Sequence, residues 1–322
     1  MAIKRIGVLT SGGDAPGMNA AIRAVVRMGV HHGLEVFGIR RGYQGLIDGD
    51  LFQMESKDVS DIIGLGGTIL YTARCDDMTT DEGCTAAAES CKAFGLDAII
   101  CIGGDGTFRG AAELSRRGIN VIGVPATIDL DIASTDYSIG FDTAVNTAME
   151  AIDKIRDSSA SHSRCSIVEV MGRTAGYIAM WAGVACGAEA ILIPEKYDYN
   201  EEALVQKILD TKATGKKHFL IVNAEGIGHS TSLAKRIEEK SGISTNATVL
   251  AYIQRGGSPS AKDRYYASIM GARAVELLLD GKKNRVVAHK LGEFPDYDIT
   301  EATLMKKEIE EDLYKIALEL KR

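Results

Sequence analysis

Residues 98–116, AIICIGGDGTFRGAAELSR, join an apolar run to a glycine-rich turn and then to a helical pattern. The apolar run at 98–102, bounded by turn residues, is typical of a buried strand, and the pattern over 110–116 indicates a helix. Strand, glycine turn and helix in this order predict one unit of a parallel sheet, with the glycines at the carboxyl end of the strand.

The same alternation continues on both sides of this stretch and indicates an α/β fold. Further strands are predicted at 6–10, 121–124, 166–170, 191–193, 218–222 and 248–252. Further helices are predicted at 18–30, 144–156, 174–184, 200–211 and 233–240. We therefore predict an α/β protein of two doubly wound domains with mainly parallel sheets, for which 322 residues suffice.

Composition restricts the class of protein. The net charge of −7 argues against broad nucleic-acid binding, for which a basic face is expected. No apolar stretch approaches the roughly 18 residues of a membrane span. The six cysteines stand singly, without a C-x-x-C pair, which favours reduced thiols over a zinc or redox motif. We expect a cytoplasmic protein.

Two glycine-rich segments follow predicted strands. Residues 10–19, TSGGDAPGMN, open a helix, where backbone N–H groups attract phosphate, although a structural turn explains this segment alone equally well. Residues 103–107, GGDGT, add a carboxylate that suits Mg²⁺ alongside phosphate oxygens. The competing interpretation is a tight turn with Asp105 as a helix cap, but three glycines in five positions favour a nucleotide site.

A third segment, residues 125–131 (PATIDLD), carries two carboxylates. Residues two apart in an extended chain point to the same side, so we expect Asp129 and Asp131 to face one site. One can accept a proton from a sugar hydroxyl while the other supports Mg²⁺. Taken alone, two solvated loop aspartates explain the segment better.

Four arginines lie beside turn residues rather than on helix faces: Arg74, Arg164, Arg173 and Arg255. A guanidinium group can hold phosphate through two parallel hydrogen bonds. Each arginine alone is an ordinary surface ion-pair former. Together with the glycine and aspartate segments, they predict a site for several phosphates.

In this order, the segments resemble the bacterial ATP-dependent 6-phosphofructokinases from Ile6 to the C-terminal helix. The matching strings are TSGGDAPGMNAAIR from Thr10, GGDGT from Gly103, TIDLD from Thr127, VEVMGR from Val168, GKKH from Gly215 and QRGGSP from Gln254. GGDGT also occurs in lipid and NAD kinases, whereas the combination is specific to phosphofructokinases.

The resemblance implies a glycolytic reaction. ATP, with Mg²⁺, would phosphorylate fructose 6-phosphate at its 1-hydroxyl to give fructose 1,6-bisphosphate and ADP. The active site would lie in the cleft between a larger ATP-binding domain (1–140 and 254–304) and a smaller sugar-phosphate-binding domain (141–253 and 305–322).

The resemblance also implies a role for each matching residue. Asp129 would be the base, and Arg173 would stabilise the transferring phosphoryl group, with Thr127, Asp131 and Gly13 completing the catalytic set. The expected ATP contacts are Gly13, Tyr43, Arg74, Cys75, Asp105, Gly106 and Thr107, with Asp105 as the metal ligand. The expected substrate contacts are Thr127, Asp129, Asp131, Arg164, Met171, Gly172, Arg173, Glu225, Asn246, Tyr252 and Arg255.

Allosteric regulation and a homotetramer are implied as well, since Arg164 in this family reaches the site of a neighbouring subunit. Arg23 and Arg27 stand one helical turn apart and suit one phosphate cluster, although a solvated helix face is the simpler explanation without the resemblance. The expected contacts for ADP or phosphoenolpyruvate are Arg23, Arg27, Asp61, Arg156, Glu189 and Lys216.

Four positions depart from the family pattern: Ala126 replaces glycine, Leu130 asparagine, Asn246 an arginine for the 6-phosphate, and Tyr252 a histidine. Asn246 lacks the charge of the arginine, so one charge-assisted hydrogen bond, worth about 1.5–3 kcal/mol, is lost. This predicts an affinity for fructose 6-phosphate weaker by about ten- to a hundredfold. Gly106 and Ala126 stand where pyrophosphate-dependent relatives usually have aspartate and lysine, and so favour ATP.

Three alternatives stay open at this stage. The acceptor could be another ketose phosphate, such as sedoheptulose 7-phosphate, which Asn246 and Tyr252 motivate. The donor could be pyrophosphate. The chain could also be a catalytically silent homologue that binds nucleotide or regulates an active enzyme, which the retained Asp129 and Arg173 oppose, because a binding protein needs no base.

Overall fold

Strands and helices alternate along the chain, as the sequence pattern predicts. The computed structural model describes residues 3–198 and 200–320. The strands are β1 (Arg5–Ser11), β2 (Glu35–Ile39), β3 (Leu51–Met54), β4 (Ala98–Gly103), β5 (Asn120–Pro125), β6 (Cys165–Val170), β7 (Ala190–Leu192), β8 (Phe219–Ala224), β9 (Thr245–Val249), β10 (Arg285–Val287) and β11 (Asp296–Asp298). The helices are α1 (Met18–His31), α2 (Gly42–Asp48), α3 (Asp81–Ala93), α4 (Asp105–Arg116), α5 (Phe141–His162), α6 (Tyr177–Ala185), α7 (Glu201–Ala213), α8 (Ser230–Ser241), α9 (Ala261–Leu279), α10 (Ile299–Leu304) and α11 (Glu311–Glu319).

The chain divides into two compact units. Unit 1 comprises Met1–Thr143 and Arg255–Lys307, and unit 2 comprises Ala144–Gln254 and Glu308–Arg322. Each unit contains its own sheet, so the α/β class and the mainly parallel sheets are confirmed. The assignment of ATP to one domain and sugar phosphate to the other stays a prediction.

Unit 1 contains a seven-stranded sheet in the order β11-β10-β5-β4-β1-β2-β3. The five inner strands are parallel, and β11 and β3 pair antiparallel at the edges. Ser11 pairs with Gly103, which pairs with Pro125, so β1, β4 and β5 end at the same level. The segments that follow these strands therefore lie at one edge of the sheet, where ligands of such sheets bind.

The core of unit 1 explains why the strands read as continuous apolar runs. Ile99, Ile100, Cys101 and Ile102 are all fully buried, because helices cover both faces of the sheet. Unit 2 contains a four-stranded parallel sheet in the order β7-β8-β6-β9. Its core includes side chains from the sheet and from α8: Ile167, Phe219, Ile221, Leu233 and Ile237.

Several predicted boundaries are wrong, among them that of the helix predicted at 144–156, which spans Phe141–His162. The strand predicted at 248–252 is β9 at Thr245–Val249, followed by a 3₁₀ turn at Ala251–Gln254. β9 is an edge strand whose side chains are largely exposed, so the apolar run in the sequence did not mark it. The helix predicted at 110–116 begins at Asp105, directly after the glycine turn.

Membrane insertion finds no support in the helices. Within residues 3–198 and 200–320, none combines the length and the apolar character that a crossing requires.

Candidate active site

The first glycine-rich segment bridges β1 and α1 in unit 1. Gly17 precedes α1 with φ of 105°, a left-handed conformation that glycine adopts without strain. The Thr107 hydroxyl donates to the Ser11 carbonyl oxygen at 3.0 Å, and the Thr72 hydroxyl donates to that of Gly12 at 2.7 Å. The segment after β1 is thus tied to the start of α4, where the second glycine motif lies.

Asp105 and Gly106 form the first turn of α4 rather than a loop, which corrects the sequence interpretation. Gly104 is the N-cap, so Asp105 is the first helical residue and its charge is favourable beside the positive end of the helix dipole. Its side chain is 40% exposed and pairs with Arg109 Nη2 at 2.5 Å. Gly106 is exposed, and a Cβ added there would meet no atom within 4 Å. Space for a ligand therefore lies over this turn.

Tyr43 is buried beneath α4, and its predicted contact with ATP stays a prediction. Only 3% of the residue is exposed, and its ring packs against Gly110 of α4. Its hydroxyl donates to the Thr107 carbonyl oxygen at 2.5 Å, and burial raises its pKa well above the usual value. Burying the large aromatic ring is favourable while its hydroxyl keeps a hydrogen-bond partner, so Tyr43 packs beneath α4 and supports it.

Asp129 and Asp131 follow β5, but the chain between them is not extended. Leu130 has φ of 55°, which places it in the left-handed region, so the expected alternation does not apply. Thr127, Asp129 and Leu130 are buried, whereas Asp131 is partly exposed. The Asp129 N–H donates to the Thr127 hydroxyl at 3.2 Å. The segment is a packed turn with its first carboxylate sheltered from solvent.

Arg255 braces the first glycine segment within unit 1. Its guanidinium donates to the Asp14 carbonyl oxygen at 3.0 Å. The same group packs on Gly13, where an added Cβ would lie 2.5 Å from Arg255 Nη1. The absence of a side chain at residue 13 is what allows this approach; a grip by Arg255 on a sugar phosphate stays a prediction.

Arg74 and Cys75 precede the 3₁₀ turn at Asp76–Thr79. Arg74 is exposed, and Cys75 is partly buried, which raises the pKa of its thiol. Neither has a contact that settles its predicted role toward ATP.

In unit 2, the residues after β6 are held by two side-chain acceptors. The Met171 N–H donates to Gln254 Oε1 at 2.9 Å. Glu225 Oε1 accepts from the N–H groups of Gly172 at 3.2 Å and Arg173 at 2.6 Å. Arg173 has φ of 57° and an exposed side chain. Glu225 therefore fixes the backbone that carries the guanidinium.

The other predicted sugar-phosphate residues of unit 2 lie at or near the surface. Arg164 is partly exposed between α5 and β6. Asn246 is exposed on the edge strand β9, opposite Ser166 in register. Tyr252 is 77% exposed in the following 3₁₀ turn.

The predicted effector residues fall into two groups. In unit 1, Arg23 and Arg27 lie on α1, Arg27 exposed and Arg23 partly so, and Asp61 is exposed with φ of 61°. In unit 2, the Glu189 carboxylate is buried, pairs with Lys216 and accepts the Leu220 N–H at 2.5 Å. Arg156 of this unit donates to the Cys186 carbonyl oxygen, three residues before Glu189.

Sequence reasoning missed Asp263, which lies in the first turn of α9 and is fully buried. Burial raises the pKa of its carboxyl group, although hydrogen bonds from Thr143 and Tyr137 act in the opposite direction. A signal was present in the sequence, because Ser260 and Asp263 have the spacing of a helix cap: the Ser260 hydroxyl accepts the Asp263 N–H at 3.2 Å. That signal locates the helix without indicating what the carboxylate binds.

Known proteins resemble this chain over nearly its whole length. The phosphofructokinase family matches residues 5–278. An ATP-dependent 6-phosphofructokinase of Clostridium botulinum (strain Loch Maree / Type A3) is 56% identical over 315 residues, which cover 98% of each chain. ATP-dependent 6-phosphofructokinase 1 of Clostridium perfringens is 55% identical with the same coverage.

A solved phosphofructokinase from Saccharomyces cerevisiae shares the fold with a TM-score of 0.86 at 32% identity. The alignment covers 99% of this chain and 48% of the yeast chain, so this chain spans about half the length of that relative.

Proposed function

The chain belongs to the phosphofructokinase family, and we propose that it transfers the γ-phosphoryl group of ATP to the 1-hydroxyl of fructose 6-phosphate. The family membership predicted from the sequence motifs is confirmed. The assignment of donor, acceptor and residue roles is the proposal.

One observation carries it: three motif segments are contiguous at one edge of the unit 1 sheet. The hydroxyl of Thr107 at the start of α4 donates to the carbonyl oxygen of Ser11 in the first glycine segment. A Cβ added to Gly104 would lie 3.6 Å from that of Thr127, which begins the aspartate segment. The glycines expected to bind phosphate, a half-exposed carboxylate and a sheltered carboxylate thus lie on adjoining segments, which supports phosphoryl transfer.

The open space over Gly106 supports ATP as the donor. In pyrophosphate-dependent relatives an aspartate usually stands at this position, and its carboxylate would extend into that space and repel a nucleotide phosphate. The α4 N-terminus directs backbone N–H groups toward the same region, which favours an anion.

Magnesium fits the chemistry of this edge. The Asp105 carboxylate is partly exposed, and Mg²⁺ prefers one or two carboxylates together with phosphate oxygens and water. Asp105 would hold the ion after exchanging its bond to Arg109. When bound, Mg²⁺ would neutralise charge on the phosphates.

Asp129 would act as the base. Its carboxyl group is buried and held on a turn whose backbone is hydrogen-bonded, so it can meet a sugar hydroxyl with little reorganisation. Arg173 would stabilise negative charge on the transferring group, since its side chain is exposed and its backbone is fixed by Glu225. Arg164 and Arg255 would bind the 6-phosphate, with Met171, Gly172, Glu225 and Tyr252 about the sugar.

Asn246 motivates a second acceptor. Its exposed position on β9 supports access to a ligand or a neighbouring subunit, yet an amide lacks the charge of the arginine usual in the family. We therefore keep another ketose phosphate, such as sedoheptulose 7-phosphate, as the alternative acceptor.

Regulation and assembly complete the proposal. ADP or phosphoenolpyruvate would bind at Arg23, Arg27, Asp61, Arg156, Glu189 and Lys216 of a homotetramer in the cytoplasm. The Lys216–Glu189 pair supports such a site, because the buried carboxylate holds a lysine whose side chain is 38% exposed and can attract an anion.

The test is a coupled assay of the purified chain with Mg²⁺, comparing ATP with pyrophosphate and fructose 6-phosphate with sedoheptulose 7-phosphate. We expect turnover with ATP and a preference for fructose 6-phosphate. Turnover with pyrophosphate alone would overturn the donor assignment, a preference for the heptulose would overturn the acceptor, and no turnover with any pair would overturn the function.

A further inference from the structure

Four hydrogen-bond donors converge on the buried carboxylate of Asp263. Oδ1 accepts from the Tyr137 hydroxyl and from the Gly140 N–H at 2.7 Å. Oδ2 accepts from both the hydroxyl and the N–H of Thr143, the latter at 2.8 Å. The carboxylate thereby ties the start of α9 to residues 137–143.

Residues 137–143 in turn brace the segment that carries the proposed base. The Ser138 hydroxyl is fully buried and accepts the Thr127 N–H at 2.8 Å. The Ile139 N–H donates to the Pro125 carbonyl oxygen at 3.1 Å, and Ile139 pairs with Ala126 in an isolated parallel bridge. The backbone at the start of the aspartate segment therefore rests on residues 138 and 139.

The first glycine segment meets the same point. A Cβ on Gly17 would lie 2.7 Å from the Ile139 side chain and 3.5 Å from Cβ of Asp263. A Cβ on Gly140 would lie 2.6 Å from that of Ala15. The first glycine segment and residues 137–143 are thus packed around Asp263, and the aspartate segment rests on residues 138 and 139.

We propose that Asp263 is a positioning residue for phosphoryl transfer: it fixes residues 137–143, and through the Ser138 hydroxyl it fixes the backbone of Thr127 and hence Asp129. The proposal deepens the function proposed above and rests on it. Asp263 acts on the reaction only through these contacts.

Only a carboxylate satisfies this arrangement. An ionised carboxylate is purely an acceptor, whereas the amide of asparagine presents two N–H donors on one side. In either orientation, that NH₂ group would face the backbone N–H of Gly140 or of Thr143, neither of which can turn to accept. Asp263→Asn should therefore break the contact to one end of residues 137–143 while changing the side-chain volume little.

The experiment measures kcat, the KM for ATP and the melting temperature of Asp263→Asn, Ser138→Ala and the double variant. A displacement of about 1 Å at a reacting group can cost about a hundredfold in rate. We expect each single variant to lower kcat by about ten- to a hundredfold with a KM for ATP within about threefold of wild type. We expect the double variant to be no slower than the slower single variant, because both remove one chain of contacts.

Asp296→Asn is the matched control. It makes the same substitution at another largely buried carboxylate of unit 1, one that accepts from Lys282 and Arg285, both at 2.6 Å, and has no link to Thr127. We expect a lower melting temperature with an unchanged kcat. This separates loss of stability from loss of positioning.

Two results would overturn the proposal. In the first, folded Asp263→Asn or Ser138→Ala keeps a kcat within threefold of wild type. In the second, the losses of kcat in the two single variants multiply in the double variant. If Asp263→Asn fails to fold, Ser138→Ala decides alone, since it leaves the Asp263 contacts in place. An inactive wild-type chain would refute the proposed function instead, so the two failures are distinguishable.

Discussion

The segment after β5 in unit 1 and the segment after β6 in unit 2 are built alike. Each follows an inner strand of a parallel sheet. Each contains a non-glycine residue in the left-handed region, Leu130 with φ of 55° and Arg173 with φ of 57°. Each is also held by side-chain acceptors that reach its backbone N–H groups, Ser138 in one unit and Glu225 in the other.

They differ in burial. The left-handed Leu130 is 5% exposed, and the network that holds its segment ends at the fully buried Asp263. The left-handed Arg173 is exposed, and its acceptor Glu225 is only partly buried. A proton acceptor gains from a fixed and sheltered position, whereas a guanidinium that binds phosphate has to reach into solvent. Similar turns are therefore packed according to the task of their side chains.

The largest effect should come from the sheltered segment. Asp129→Asn should lower kcat by about 10²–10⁴, because an amide cannot accept the proton of the sugar hydroxyl. The melting temperature should change little. Steady-state kinetics with saturating ATP would measure the loss.

Asp131→Asn serves as the comparison, since its side chain is partly exposed and lies two residues away. We expect a smaller loss of kcat in this variant. Equal losses would contradict the assignment of the base to Asp129.

A medium effect is expected at the exposed segment. Glu225→Ala removes the acceptor of two backbone N–H groups, and water can replace it in part because the site is half-open. We expect kcat/KM for fructose 6-phosphate to fall about tenfold, which corresponds to about 1.4 kcal/mol.

Glu225→Gln distinguishes support of the backbone from contact with the sugar. Its amide oxygen can still accept from both N–H groups, so a supporting role predicts recovery of most of the activity. A glutamine variant as slow as the alanine variant would instead favour a direct role of the carboxylate toward the substrate.

The smallest effect is expected at two leucines whose backbone lies in the left-handed region, Leu130 and Leu291. Leu291 has φ of 51° and is 96% exposed. Glycine relieves a backbone cost of about 1–2 kcal/mol at either position. At Leu130 this gain is outweighed by the lost burial of about 1.5–3 kcal/mol, so Leu130→Gly should lower stability by about 1 kcal/mol. At the exposed Leu291 little burial is lost, so Leu291→Gly should raise stability by about 1 kcal/mol. Urea unfolding of both would test this, and equal destabilisation would contradict the account.

The sequence was informative where apolar periodicity and glycine turns coincide. The predicted strands at 6–10 and 98–102 lie within β1 and β4, and the family motifs follow those strands. The edge strand β9 was misplaced because its exposed residues carry no apolar alternation. β2 and β10 were not predicted either, although Val36, Ile39, Val286 and Val287 are fully buried, so burial alone does not make a short strand recognisable.

The candidate site was predictable in its motifs but not in its supports. The identity of Asp105, Asp129 and Arg173 follows from local strings, whereas the burial of Tyr43 depends on the distant helix α4 that covers it. Asp263 was missed for the same reason, since its partner Tyr137 is 126 residues away in the chain. Long-range contacts of this kind have no local signature in one sequence.

The discontinuity of unit 1 has a consequence for synthesis on the ribosome. Its first stretch ends at Thr143, and α9, which packs against α1, is translated only after all four strands of unit 2. Until α9 emerges, the donors of Tyr137, Gly140 and Thr143 lack the carboxylate that orders them. A nascent chain that stops before α9 holds every glycine and aspartate motif of the amino-terminal stretch, yet cannot fix the proposed base in place. Under the proposed role of Asp263, activity is therefore acquired late in translation, when the second stretch of unit 1, Arg255–Lys307, packs against the first.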